Sequence, residues 1–431
     1  MVKYLNNRLY FDEVDIEIFA KSKGTPFFLF SERILRENYR NFKKYFSSHY
    51  KQIRIDYSVK TDYEKSVLKI LKEEGCSAET VASFELELLN KIGFPATRVV
   101  FDGPCKTDEE ISFCLKQKIH AIYADSLEEL SRINNIAKTL KVVAPVGLRI
   151  SLGLKTLLSD ITYRFVSKFG TRYNDALKGL IDAKRFKNIK IIALSTHIGS
   201  QMLRPAKYLK ACDMLLLLAK KCKELDIDIS EISLGGGYPS RTLIKVTPIN
   251  FILMNLGIIP KQNSVSLKEF GKQISERFAE NIKKYNLPDI TLAFQPGRSI
   301  SSSMGIAVSK VWVVKRNWAF VDISTSSIPE SFLFAKRRII PVIKKPKSGK
   351  MRYSIAGKGL NSVDNFTFNE PFPEIKVGDF MVVLDAGAYS ISRANRFTAL
   401  NPPVYMIREN GKIEEVRRKE NYKDVLRPME F

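Results

Sequence analysis

The chain has 431 residues, 45% of them hydrophobic and 11% aromatic, which is enough apolar material for two or three domain cores and too much for a disordered polypeptide. Its 70 basic and 46 acidic residues leave a formal charge of +24, but the bases are dispersed. The densest run, KKPKSGKMR from Lys344 to Arg352, lacks stacking aromatics and carries the turn formers Pro346 and Gly349, so a nucleic-acid partner is not expected. Nor is a membrane span, because the longest apolar runs fall far short of the roughly 20 residues one needs.

The opening MVKYLNNRLYFDEVDIEIF mixes acids and bases without a continuous apolar core, unlike a secretory leader, and a cytoplasmic location is expected. Cys76, Cys105, Cys114, Cys212 and Cys222 are odd in number and show no CxxC spacing, which argues for free thiols. His49, His120 and His197 match no HExxH pattern, and no metal is predicted.

From Thr25 to Phe294 short β-branched runs alternate with amphipathic helical stretches. The strand candidates IRIDYSV, RVVF, AIYA, APVGLRI, KIIALSTHI and TLAF, with one more directly before LGGGYP, are separated by patterns such as FELELLNKI, DEEISFCLKQK, LEELSRINNIAKTL and YLKACDMLLLLAKKCKEL. Seven or eight such units predict an α/β fold built as a (β/α)8 barrel rather than an open doubly wound sheet. After Pro296 the runs become short and β-prone: MGIAVSKVWVV, RRIIPVI, RYSIAG, DFMVVLDAG and PVYMIRE. The expected organisation is an N-terminal segment over 1–24 packed on a β domain, a barrel over 25–295, and a mostly β C-terminal domain over 296–431.

In such a barrel the reactive groups follow the C-terminal ends of the strands. Lys60 closes the first strand candidate, in IDYSVKTD; a lysine there is more often a solvated side chain, but one whose pKa is lowered by partial burial forms Schiff bases with carbonyl compounds. LGGGYP and QPGRS follow two later strands. Their Gly235, Gly236, Gly237 and Gly297 let backbone N–H groups approach an anion, and Arg298 adds a guanidinium fork. THIGSQ brings His197 and the hydroxyl of Ser200 to the same mouth. An amine, two anion cradles and a flat ring are what pyridoxal 5'-phosphate (PLP) requires as imine partner, anchor and stacking surface.

In their order, YSVK, GPCKT, THIGSQ, LGGGYP, QPGRS, VDNF, DAGAYS and VRRKENYKDVL resemble the fold type III PLP decarboxylases, particularly the diaminopimelate decarboxylases, with ornithine decarboxylase a more distant relative. The resemblance runs from Gly24 to the C-terminus. It implies that Lys60 holds PLP covalently and that His197 stacks on its ring. Ser200, Gly235, Gly236, Gly237, Gly297 and Arg298 would surround the phosphate, with Arg298 also meeting a substrate carboxylate, and Tyr389 of DAGAYS would reach the phosphate from the β domain. It further implies a homodimer whose active sites are completed across the interface by residues near GKGLNSVD.

Four places depart from the family pattern. The usual Glu of EPGR, which keeps the pyridine nitrogen protonated, is Gln295 here, and a neutral amide supports that charge less well. In the segment usually read GPxCESxD, the Cys that acts near the substrate Cα as a proton donor is Leu360 and the Glu is Asn361, whereas Ser362 and Asp364 are kept; Leu360, Asn361 and Asp364 are the expected substrate-side positions. The RPxxY element that grips the distal end of diaminopimelate is matched by IPESF, with Ile328 and Phe332. An acidic residue usual three places before the ASxxE serine is Thr80, with Glu79 adjacent.

The sequence therefore predicts a PLP-dependent decarboxylase of a non-standard amino acid or amino-acid conjugate, carrier-bound ones included, rather than of diaminopimelate itself. A catalytically decayed regulatory homologue, and other PLP chemistry at Cα such as racemisation or an oxidative step, are the alternatives.

Overall fold

The computed structural model describes residues 2–153, 168–240, 243–258, 260, 263–288, 290–329, 335–344 and 351–429. Among them, eight parallel strands form a closed ring: β1 (Ile53–Ser58), β2 (Ser77–Thr80), β3 (Val99–Phe101), β4 (Ala121–Ala124), β5 (Ala144–Ser151), β6 (Ile189–Ser195), β7 (Glu231–Ser233) and β8 (Thr291–Phe294). Each pairs with its neighbour in chain order, and β8 closes onto β1 with Phe294 opposite Ile55. The expected (β/α)8 barrel is present. Its strand β2, SAET, has no apolar β-branched run to announce it. Its register is fixed by β1 on one side and β3 on the other, and all four of its residues are buried.

Helices form between strands where apolar spacing and capping agree. Glu32–Phe46 begins at Ser31, whose hydroxyl accepts the N–H of Ile34 at 3.1 Å, and buries Leu35, Tyr39, Phe42 and Phe46 along one face. Phe42 and Phe46 stack with ring centroids 4.0 Å apart, and Phe42 meets Tyr238 and Phe294 edge-on. This face therefore locks the helix to the barrel end that carries LGGGYP and QPGRS. Phe42→Ala is expected to cost about 3–5 kcal/mol of stability in denaturant unfolding.

In the β domain, Gly305–Lys315 pairs antiparallel with Trp318–Val321, with Phe380–Val383 and with Phe27–Ser31. Phe27–Ser31 also runs parallel to Val404–Ile407. The expected boundary at residue 25 is corrected by this pairing: FFLFS is a strand of the second sheet, and its five residues are all buried, as a continuous apolar run covered on both faces should be. The barrel layer begins with Glu32–Phe46. Ahead of it, Val2–Leu5, Arg8–Phe11 and Val14–Asp15 form a small antiparallel sheet followed by the helix Ile16–Lys23. That segment packs on the β domain, where the N–H of Leu9 donates to the carbonyl of Val342 at 2.9 Å. No described helix is long and apolar enough to cross a membrane. Most of the basic run from Lys344 to Arg352, and Phe332, lie outside the described residues.

Candidate active site

Loops at the C-terminal ends of the strands enclose a cavity of about 590 Å³. Lys60 enters it from the single turn Val59–Thr61 directly after β1. Its Nζ donates to both carboxylate oxygens of Glu79 at 2.6 Å. Side chains alternate along a strand, and in β2 it is Glu79 that lines the cavity, whereas the hydroxyl of Thr80 donates to the carbonyl of Val100 at 3.3 Å. The acidic group beside the lysine is thus supplied one residue away from where the motif spacing puts it. Burial is the largest single influence and opposes the charge on Lys60, but Glu79, joined by Tyr389 and Asp102, offsets it and the lysine pKa is raised. The expected lowering is overturned for the same reason.

His197 follows β6, and its ring opens onto the cavity. Its Nδ1 accepts the N–H of Gly236 at 3.3 Å, which leaves the ring proton on Nε2. Desolvation, then the cations of Arg149 and Lys60, push its pKa down to about 4. The imidazole is therefore neutral across the physiological range. Because this pKa is depressed in the fold, stability is expected to fall as the solution passes from about pH 6.5 toward pH 4, where only the unfolded ring binds a proton; pH-dependent denaturant unfolding of His197→Gln against the parent isolates that slope.

The glycine loop after β7 runs against the His197 segment too closely for side chains. Gly237 has φ of +92°, and a Cβ there would collide with the carbonyl of Gly199. A Cβ on Gly297 would meet the hydroxyl of Thr61 in the same way. The N–H of Gln295 donates to the carbonyl of Gly235 at 2.8 Å, which ties the two glycine loops together. The Gln295 side chain is 4% exposed, and its buried Nε2 has no hydrogen-bond partner among the described residues. The guanidinium of Arg298 lies 4.5 Å from the ring centroid of Tyr389. Tyr389 has a left-handed backbone, φ +52°, and its N–H donates to the carbonyl of Thr61 at 2.7 Å, so the β domain reaches back to the turn that carries Lys60.

Lys60, His197, Ser200, Gly236, Gly237, Gln295, Gly297, Arg298 and Tyr389 all line this one cavity, with Gly235 immediately behind it against Thr196. Leu360, Asn361 and Asp364 are not among the residues lining this chain's own cavity; the resemblance placed them at the substrate from across a dimer interface. Leu360 is 91% exposed on an outer loop of the β domain. Asp364 is engaged in shaping that loop, accepting the N–H groups of Thr325 and Gly359 at 2.7 Å each. Ile328 is fully buried and also off the cavity.

The cavity contains further groups that no motif marked as functional. Arg149, near the end of β5, lies 3.5 Å from both Asp102 and Asp125 and packs on the Phe169 ring at 4.7 Å. Burial raises the Asp102 carboxyl, but Arg149, Lys106, the N–H of Gly103 and Lys60 together offset it and hold its pKa low. Both residues stand at strand ends, and that position alone was the signal available for them.

The sequence pattern of the family described as "Pyridoxal-dependent decarboxylase, pyridoxal binding domain" matches residues 32–302. The chain belongs to this family. The decarboxylase is 25% identical to the diaminopimelate decarboxylase of Aquifex aeolicus, over 99% of this chain and 97% of that one, and 27% identical to that of Methanothermobacter thermautotrophicus, over 95% and 92%. The solved diaminopimelate decarboxylase of M. jannaschii superposes with a TM-score of 0.86 at 25% identity, covering 100% of this chain and 98% of that one. A lysine/ornithine decarboxylase of Vibrio vulnificus, complexed with putrescine, shares the fold with a TM-score of 0.75 at 22% identity, covering 92% and 98%. The protein is thus a divergent PLP-dependent amino-acid decarboxylase, and PLP is its cofactor.

Proposed function

We propose that this decarboxylase removes the α-carboxylate of a non-standard amino acid or a carrier-bound conjugate, that diaminopimelate is not its substrate, and that it works in the cytoplasm as a homodimer. The observation that carries the reading is the convergence of Lys60, His197, both glycine loops and Arg298 on one cavity. Against diaminopimelate stands Ile328: the segment matching the distal-end grip offers a buried aliphatic side chain away from the cavity. The outer loop that presents Leu360 to solvent supports a second chain docking there.

The residues fit PLP. Gln295 Nε2 is a buried donor without a partner among the described residues, and the glycine loops leave room that no Cβ could share. Bound PLP supplies an electron sink for a bond breaking at Cα. Lys60 Nζ would hold the cofactor covalently, and Glu79 Oε1 and Oε2, both 2.6 Å away, would take the proton that Nζ must lose first. Arg298 and the N–H groups of the two glycine loops would hold the phosphate, with Ser200 and Tyr389 at its edge. His197, neutral and flat, would cover one ring face without adding charge. The amide of Gln295 would donate to an unprotonated ring nitrogen and damp the sink relative to a carboxylate.

CO2 release from a panel of free and carrier-bound amino acids, with meso-diaminopimelate included, tests the proposal. Rapid release from diaminopimelate would overturn the substrate assignment. Racemised but undiminished amino acid would favour the other Cα chemistry, and a protein that never takes up PLP would favour the regulatory homologue. Gln295→Glu is expected to alter the absorption of bound PLP and raise turnover by about tenfold, equivalent to about 1.4 kcal/mol at the transition state; an unchanged spectrum would remove Gln295 from the ring nitrogen. Gly237→Ala should lose about 1–3 kcal/mol to backbone strain alone and release PLP faster on dialysis. Sedimentation of the purified protein reports the dimer.

A further inference from the structure

Decarboxylation is complete only when the α-carbon regains a proton, and the groups in the cavity wall differ sharply in their ability to give one. Lys60 is clamped by Glu79. Lys106 is 3% exposed and donates to the carbonyls of Gly103 and Tyr123, at 2.6 and 2.8 Å, and to Glu129 at 3.0 Å. Burial pushes the Tyr238 hydroxyl far up, which makes it a poorer acid still. His197 is neutral, and a neutral imidazole N–H is a very weak acid. Leu360 has no proton to give.

We propose that Cys105 is the acid that returns the proton to Cα; this rests on the decarboxylase reading above. Cys105 is exposed whereas Cys76, Cys114, Cys212 and Cys222 are buried, and it lines the same cavity as Lys60 and His197. It sits in the loop after β3. In the ring of eight, β3 stands four strands from β7, so the loop that carries Cys105 leaves the ring opposite the strand that leads into LGGGYP. Its loop is pinned on both sides, by the three bonds of Lys106 and by the N–H of Gly103 donating to Asp102 at 2.7 Å. The cavity carries an independent mark of a ligand in Gln295, whose side chain is 4% exposed in the same wall and whose Nε2 has no partner among the described residues.

The step balances without an oxidant or reductant. The bond from Cα to the carboxylate breaks, CO2 leaves, and the electron pair of that bond is left to Cα. The S–H bond of Cys105 then breaks as a Cα–H bond forms, and the thiolate recovers a proton from water. A thiol is acidic enough to do this near neutrality, whereas an aliphatic hydroxyl is not.

Two measurements test the assignment. Iodoacetamide applied to the cofactor-free protein, followed by peptide mass spectrometry, should label Cys105 alone among the five cysteines, and saturating PLP should slow that labelling at least about tenfold. Equal labelling with and without PLP overturns the placement of the thiol. In the PLP-loaded enzyme, Cys105→Ala and Cys105→Ser should keep the absorption of bound cofactor but lower kcat by about 10²-fold, the usual contribution of a positioned acid. The product should shift from amine toward carbonyl compound and aminated cofactor, because a proton returned slowly ends on the cofactor. CO2 release with an unchanged amine-to-carbonyl ratio in both variants overturns the role of Cys105 alone, while a parent enzyme that releases no CO2 overturns the decarboxylase reading and this proposal with it.

Discussion

Lys60→Ala is expected to yield a colourless protein that releases no CO2 above background. The cavity holds a second lysine, but Lys106 is buried and fully engaged by two carbonyls and Glu129, so it cannot substitute as the imine former. The substitution also strips Glu79, 1% exposed, of its counter-ion. The Lys60 side chain is 40% exposed to the cavity, so the stability loss should fall between the exposed and buried limits for an ion pair, about 1–3 kcal/mol. Lys60→Arg separates the two effects. A guanidinium keeps the ion pair but does not deprotonate to form an imine. Visible absorption after incubation with PLP should therefore vanish in both variants, whereas denaturant unfolding should shift only in the alanine variant. Covalent PLP in Lys60→Ala would show that another amine does the chemistry.

Glu79→Gln should have two effects of opposite sign. Lys60 reacts with a carbonyl only as the free amine, and in the native protein the Glu79 carboxylate raises its pKa against the pull of burial. With an amide in its place the burial effect remains and the raising effect of Tyr389 and Asp102 alone is left to oppose it, so PLP uptake followed by absorbance should move at least one pH unit lower and become about tenfold faster at pH 7. Turnover should fall by about 10²-fold, because the acceptor for the Lys60 proton has been removed. The linkage to stability follows from the same raised pKa. The pair contributes fully below the unfolded lysine value of about 10.4, and its contribution disappears as pH rises through the higher folded value. The variant should therefore be less stable than the parent at neutral pH, with the gap closing above about pH 10 in denaturant unfolding. Uptake at unchanged pH would mean that Glu79 does not set the state of the amine.

The sequence made the barrel legible because its period is local: β-branched runs and three- and four-residue apolar spacing recur along the chain. LGGGYP and QPGRS were readable for a related reason, since close backbone approach admits only glycine at Gly237 and Gly297. Where pairing overrides local pattern, the reading failed. SAET carries no apolar signature, and its burial follows from its place between β1 and β3, so Glu79 passed as a neighbour of Thr80 rather than as the partner of Lys60. The lowered pKa of His197 comes first from its burial and then from Arg149, which arrives from β5, and the sequence shows neither the burial nor that the two are near. For Leu360, Asn361 and Asp364 the resemblance implied a contact across a dimer, and an outer loop with Leu360 exposed leaves them free to make it.

Phe27–Ser31 sets the order in which the molecule can be finished. Its neighbours in the sheet are residues 305–308 on one edge and 404–407 on the other. A growing chain must therefore carry FFLFS, four of its five residues apolar, through synthesis of the whole barrel before either partner exists. A product starting at residue 1 and stopping at Ser301 would leave that run with two open edges and no charge or proline to blunt them, the composition of a segment that pairs with copies of itself. The same product begun at Glu32 would lack it.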